Sequence, residues 1–256
     1  MRAGILLALP FILFLLAFFY APLVVLAYYS VEVDGGYGIG NYVEVFRDPA
    51  YFRVVAYSLI IAGETTVATL LLSLPAAYYL GFHSSGREKV LLLVALVTPF
   101  WIDFLLRALA MRSLFYLLGL REGYLAMMIA MVYDYLPYMF LPIYAAMSGI
   151  PRNLLHAART LGAGGWAIVY RVILPLAAPG IAAGSILVFL MSMTEYVIPS
   201  LLGGTSGFTV GTLIYHLFLS GDKWGTGSAL TLLITLGLLA VAVASARRFP
   251  VARVEG

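Results

Sequence analysis

Apolar side chains run along this chain in long blocks instead of alternating with polar ones. Six blocks carry few charges: 5–29, 54–80, 90–114, 124–147, 177–201 and 227–246. A helix of about 20 residues spans the roughly 30 Å hydrocarbon core of a bilayer, so each block predicts a membrane-crossing helix. The first block follows Arg2, as a secretory leader would. It outruns the roughly 7–15 apolar residues of such a leader and reads as a retained anchor helix. Pro10, Pro22, Pro75, Pro99, Pro137 and Pro142 fall inside blocks. Membrane helices tolerate proline where neighbours satisfy the freed carbonyls. The expected fold is therefore an all-α membrane protein of six transmembrane helices, forming one transmembrane domain over residues 1–256.

Composition agrees with this pattern. Hydrophobic residues make up 63% of the chain, charged residues 11%, and the mean hydropathy is +1.00. A soluble domain is roughly a quarter charged. Cysteine is absent, which excludes disulfides, thiolate metal sites and cysteine nucleophiles. No metal site and no cofactor is expected. A net charge of +3 is too small and too dispersed for nucleic-acid binding.

The placement of the bases orients the chain. With the N-terminus in the cytoplasm, the inside segments hold Arg2, Arg87, Lys89, Arg152, Arg159, Arg171, Arg247, Arg248 and Arg253. The outside segments hold Arg47, Arg53, Arg112, Arg121 and Lys223, and Arg107 lies within a span. Nine against five satisfies the positive-inside rule and predicts that both termini are cytoplasmic. Acids lean outward: Glu32, Asp34, Glu44, Asp48, Glu122 and Asp222, against Glu88 and Glu255 inside.

The longest cytoplasmic segment in this scheme is 148–176, which carries three arginines and no acid. Pro151 suits a first helical turn, and Leu154, Leu155, Ala158 and Leu161 recur at helix-face spacing. Gly162 falls at a helix C-cap, the run Gly162-Ala163-Gly164-Gly165 makes a turn, and a second amphipathic piece starts at Trp166. Pro175 marks the approach to the fifth span. This pattern alone fits either an amphipathic hairpin resting on lipid headgroups or a docking element for a partner.

The residues themselves separate the two. His156-Ala157-Ala158-Arg159-Thr160-Leu161-Gly162-Ala163, followed by Val172-Ile173-Leu174-Pro175, resembles the EAA loop of ABC importer permeases. Ala157, Ala158, Gly162, Leu174 and Pro175 match that motif in register, whereas His156 stands where the family has glutamate. Pro99-Phe100-Trp101 with Leu106-Arg107, Leu136-Pro137-Tyr138-Met139, and Glu195-Tyr196-Val197-Ile198-Pro199 with Leu201-Leu202-Gly203-Gly204 resemble segments of the spermidine/putrescine permease group. Permeases for ferric ion, thiamine and some oxyanions are related to that group. The likeness covers 58–246. It implies a cell-membrane permease working with two ATP-binding subunits, a second and paralogous permease, and an extracytoplasmic substrate-binding protein. It also implies that His156, Ala157, Ala158, Arg159, Leu161, Gly162 and Ala163 couple the chain to the ATPase.

Ionisable groups inside a membrane are costly and mark function. Glu64, Asp103, Asp134 and Glu195 lie within blocks, with Arg107 as the one clear base among them. Asp103 and Arg107 are four apart, the spacing of an ion pair on one helix face. Asp134 lies mid-span between Tyr133 and Tyr135 with no internal cation expected for it, and Glu64 is expected to bond a hydroxyl such as that of Thr65 or Thr66. The excess of acid favours a cationic cargo, with Asp103, Asp134 and Glu195 along its path and Trp101 and Tyr135 offering cation–π faces. No phosphate-binding G-x-x-x-x-G-K-[ST] occurs, so the chain is expected to be a transport subunit and not an enzyme. A proton-coupled transporter using the same acids is the alternative from another class; it leaves the 148–176 segment without a role.

Overall fold

A computed structural model describes residues 2–33 and 35–248, with side chains from residue 9 to 245. Asp34, Arg253 and Glu255, and the side chains of Arg2, Arg247 and Arg248, lie outside the described residues. Among the described residues, five helices are long and apolar enough to cross a membrane: Leu9–Val31, Pro49–Phe82, Tyr124–Ser148, Gly165–Met193 and Trp224–Ser245. Gly86–Trp101 and Phe104–Leu117 form a sixth, broken candidate, bent by 101°. This corrects the expectation of an uninterrupted third span. Pro99 lies in a 3-10 turn, Thr98–Trp101, that ends the first limb, and Asp103 caps the second.

The elements in order are α1 (Arg2–Leu15), α2 (Ala21–Val31), β1 (Glu32–Val33), β2 (Gly36–Tyr37), α3 (Gly40–Arg47), α4 (Pro49–Phe82), α5 (Gly86–Val97) and α6 (Phe104–Leu117). There follow α7 (Tyr124–Ser148), α8 (Arg152–Thr160), α9 (Gly165–Ile168), α10 (Leu174–Met193), α11 (Val197–Leu202), α12 (Val210–Leu219) and α13 (Trp224–Arg248).

Two prolines share one solution. A π-turn over Leu16–Tyr20 joins α1 to α2, and another over Val169–Ile173 joins α9 to α10. In each, the next residue bonds back five positions, Ala21 to Leu16 and Leu174 to Val169, and proline follows immediately as Pro22 or Pro175. Proline has no N–H and crowds the carbonyl four residues back. One widened turn absorbs both defects, so the helix continues. The segment from Gly165 therefore continues into the fifth span, so the amphipathic piece expected from Trp166 and the span beyond Pro175 are one helix.

The chain divides into two compact units. The first comprises Met1–Val54 and Leu213–Ala240. Here Asn41 Nδ2 donates to the Ser30 and Glu32 carbonyls at 3.1 and 2.8 Å, closing the end of α2. A Cβ on Gly225 would sit 2.5 Å from that nitrogen, so a larger residue there displaces the Asn41 amide from its carbonyls. Glu44 accepts bonds from Lys223 Nζ and Thr226 Oγ1, both at 2.8 Å.

The second unit comprises Val55–Thr212 and Val241–Gly256, and α7 is its centre. Its best apolar window is 56% buried, against 28% or less for the other straight spans. Met127, Met131, Tyr135, Met139, Phe140, Ile143 and Met147 fill the core from this helix. On α10, Gly180 and Gly184 form a small-xxx-small pair that lets helices approach closely in lipid. A Cβ on Gly180 would lie 2.4 Å from the Pro142 carbonyl oxygen of α7, and one on Gly184 2.9 Å from that of Met139. The two helices pack backbone to backbone.

Candidate functional site

The break in the third span places Asp103. Its backbone is extended, and Oδ1 accepts from the N–H groups of Leu105 and Leu106 at 2.9 and 3.3 Å. A second break, between α10 and α11, places Glu195 in the same way. Glu195 Oε1 accepts from Val197 and Ile198 N–H at 2.8 and 3.3 Å, and its other oxygen accepts the Tyr135 hydroxyl. Both acids thus lie at helix interruptions, where free amides satisfy one carboxylate oxygen.

The two breaks face each other. Asp103, Tyr135, Met191, Thr194 and Glu195 line one cavity of about 500 Å³. The backbone behind Glu195 is held from the loop beyond α11: Thr209 Oγ1 donates to the Glu195 carbonyl at 3.1 Å. A Cβ on Gly211 would come within 2.5 Å of both the Thr194 and Glu195 carbonyl oxygens. Gly203 has a similar cause, since a Cβ there would lie 2.4 Å from Gly207 Cα, whereas Gly204 adopts the left-handed φ +51°.

The remaining expected residues fall as follows. Trp101 ends the first limb with 84% of its surface exposed and is not among the residues lining this cavity. Asp134 is buried and pairs with Arg107, Oδ1 to Nη2 at 2.8 Å. This corrects two readings, that Arg107 pairs with Asp103 and that Asp134 has no internal cation. Glu64 accepts the Tyr124 hydroxyl of α7 in place of a threonine hydroxyl, and Thr66 bonds back to Ala62. Tyr124 was the residue that sequence reasoning missed here, whereas Arg107 was singled out as the intramembrane base but given Asp103 as its partner in place of Asp134.

Over 148–176, α8 ends in a Schellman motif. Ala163 N–H bonds to the Ala158 carbonyl, Gly162 N–H bonds to that of Arg159, and Gly162 has φ +84°. His156, Ala157, Arg159, Leu161 and Gly162 are exposed, whereas Ala158 and Ala163 are half-buried against the core. Leu155 and Ile168 anchor the hairpin. Leu161 stays 89% exposed, close in sequence to exposed Trp166 and Tyr170.

Breaks capped by acids inside a helical membrane protein, with an amphipathic hairpin between spans, are features found in membrane transport proteins. The chain belongs to the family of binding-protein-dependent transport system inner membrane components, whose model matches residues 3–255. It is an ABC transporter permease subunit, multi-pass in the membrane. The spermidine/putrescine transport system permease PotB of Haemophilus influenzae is 36% identical over 77% of this chain and 74% of that protein. PotB of Escherichia coli is 32% identical over 85% of each. PotC of Haemophilus influenzae is 27% identical over 88% of this chain and 90% of its own length. The fold is similar to that of a chain in the bacterial alginate ABC transporter (TM-score 0.78, 18% identity, 96% of this chain and 95% of that one). The MetNI methionine ABC transporter also matches (TM-score 0.62, 19% identity, 77% and 94%).

Proposed function

We propose that this permease forms the membrane pathway of an ATP-driven importer for a polyamine or another small organic cation. The observation that carries this reading is the pair of carboxylates, Asp103 and Glu195, on one cavity, each fixed through one oxygen by backbone amides. Of the four acids in the spans, Arg107 neutralises Asp134, while Glu64, Asp103 and Glu195 meet neutral donors. A cation entering the cavity supplies the missing charge, and an anion is repelled. The relatives named for spermidine and putrescine support the same class of cargo.

Energy reaches the chain through 148–176, which we place on the cytoplasmic side with both termini. Two ATP-binding subunits grip the exposed face at His156, Ala157, Arg159, Leu161 and Gly162, with Ala158 and Ala163 behind it. Their closure on nucleotide moves α8, and the differential contacts of the two states drive alternating access. A second permease, a paralogue as PotB and PotC are of one another in similarity to this chain, completes the channel. A substrate-binding protein delivers cargo to the outer loops 31–53 and 202–224.

The test is uptake by the complete transporter in proteoliposomes. ATP-dependent accumulation of spermidine, with thiamine, ferric ion and sulfate left outside, is expected. Accumulation without ATP under a proton gradient, or selection of an anion, would contradict the proposal.

A further inference from the structure

Arg107 stands four residues beyond the break, on the second limb, but its guanidinium serves other segments. Nη1 donates to the Pro99 carbonyl at 3.3 Å, and the guanidinium carbon lies 4.7 Å from the centre of the Phe100 ring. Both contacts are on the first limb. Nη2 reaches Asp134 on α7 at 2.8 Å. Phe100 in turn meets Tyr138 of α7 edge to face at 5.2 Å. One planar fork therefore ties the two limbs to each other and both to α7. A lysine ammonium carries its charge at one point and does not hold carbonyl and carboxylate in this fork.

The backbone alone constrains the bend weakly. Ile102 and Asp103 are extended, and across them only Ile102 N–H bonds back, to the same Pro99 carbonyl that Arg107 uses. The pair is also sealed from water, with side chains 7% and 6% exposed, so a hydrated cargo has no open route to Asp134. Asp134 directly precedes Tyr135, the residue that holds Glu195. Adjacent positions on one helix thus fix the two cargo-facing acids, Tyr135 through Glu195 itself and Asp134 through the limb that carries Asp103.

We infer that Arg107 and Asp134 are a positioning pair: they set the angle of the broken span, and so the distance from Asp103 to Glu195, and Asp134 serves the pathway from behind without touching cargo. The inference rests on the reading of Asp103 and Glu195 as the cargo-binding acids.

The chain contains no cysteine, so the labelled cysteines are introduced into this chain alone and the complex is assembled with unlabelled partner subunits. Labels at Leu92→Cys and Ser113→Cys, on the two limbs, read the bend in the assembled transporter. Arg107→Gln and Asp134→Asn are each expected to broaden the distance distribution. Each should also raise KM for spermidine about tenfold with little change in maximal rate, and the double variant should be no worse than either single, as for residues acting as a unit. Arg107→Lys should fall between wild type and Arg107→Gln. If Asp134 binds cargo directly, Arg107→Gln frees its carboxylate and lowers KM while Asp134→Asn raises it; that result overturns the inference. So does a distribution that stays narrow in both single variants. Should a single variant fail to fold, Arg107→Met with Asp134→Leu removes both buried charges, and the same broadening is expected. A wild-type transporter that takes up no spermidine would refute the cargo reading alone, because the label distances do not depend on cargo.

Discussion

Asp103 and Arg107 are separated by one helical turn, yet the ion pair that this spacing suggests does not form. The reason is local: Asp103 is not inside a helix. Its extended backbone, with ψ 141°, turns the carboxylate toward the amides of Leu105 and Leu106. The i, i+4 rule holds for two residues on one continuous helix and fails at a cap. Glu195 repeats the geometry with a side chain one carbon longer, which lets its second oxygen reach Tyr135. Tyr135→Phe should therefore release Glu195 from one of its two anchors and weaken spermidine uptake several-fold at limiting cargo, as initial-rate measurements would reveal. Outside the spans, Lys223 and then Thr226 hydrogen-bond Glu44 and hold its carboxyl below the usual 4.5, while Glu44 holds Lys223 above the usual 10.5. A lowered carboxyl stabilises the fold above pH 4.5 and loses that contribution as pH falls through its folded value. The raised amine stabilises below pH 10.5 and loses its contribution as pH rises further. Amide protection in α3, the intrinsic exchange rate divided by the observed rate at each pH, should thus be highest between those limits and fall below pH 4.5, and Glu44→Gln should abolish the acid-side change.

Elements explain where the glycines matter. Gly162 adopts φ +84° with open space around its Cα, so Gly162→Ala meets no clash and costs only the left-handed backbone, about 1 kcal/mol. The end of α8 should fray, which circular dichroism of a peptide could not isolate but amide exchange at Leu161–Ala163 would, and ATP hydrolysis should become less tightly coupled to uptake. Gly180 is the opposite case, with ordinary backbone but no room. Gly180→Ala forces α10 away from the Pro142 carbonyl, an overpacking change of about 1–3 kcal/mol, and should lower the thermal midpoint of the purified protein. The helices themselves were legible in the sequence because bilayer thickness imposes a length, and every apolar block predicts one. The Gly162 cap was legible too, since its cause lies within eight residues. The breaks were not. Pro99 looks like Pro75, which lies inside an unbroken helix, and Pro175 looks like a terminator that a π-turn in fact relieves. Which proline breaks a helix depends on what its neighbours supply, here the Arg107 fork at the Pro99 carbonyl.

At the scale of the whole molecule, charge scarcity organises the site. Four acids lie in the spans, and sequence alone could count them but could not say which one Arg107 would take. That choice depends on α6 meeting α7, a contact between residues 27 positions apart, Arg107 and Asp134. With that pair closed, Asp103 and Glu195 are left as the carboxylates on the cavity, supported by Thr209 and Gly211 behind one and by the Arg107 tie behind the other. The two helix breaks bring both carboxylates to one cavity, and the proposed cation selectivity rests on them. The decisive experiment is the concentration dependence of spermidine uptake by the complete transporter carrying Asp103→Asn together with Glu195→Gln. Both replacements keep size and one oxygen to accept the backbone amides while removing charge; the Tyr135 contact of Glu195 is tested separately by Tyr135→Phe. A rise in KM of about a hundredfold, with protein yield and basal ATP hydrolysis retained, is the expected result, tenfold for each lost charge contact of about 1.4 kcal/mol. An unchanged KM would show that the cavity between the two breaks does not select the cargo.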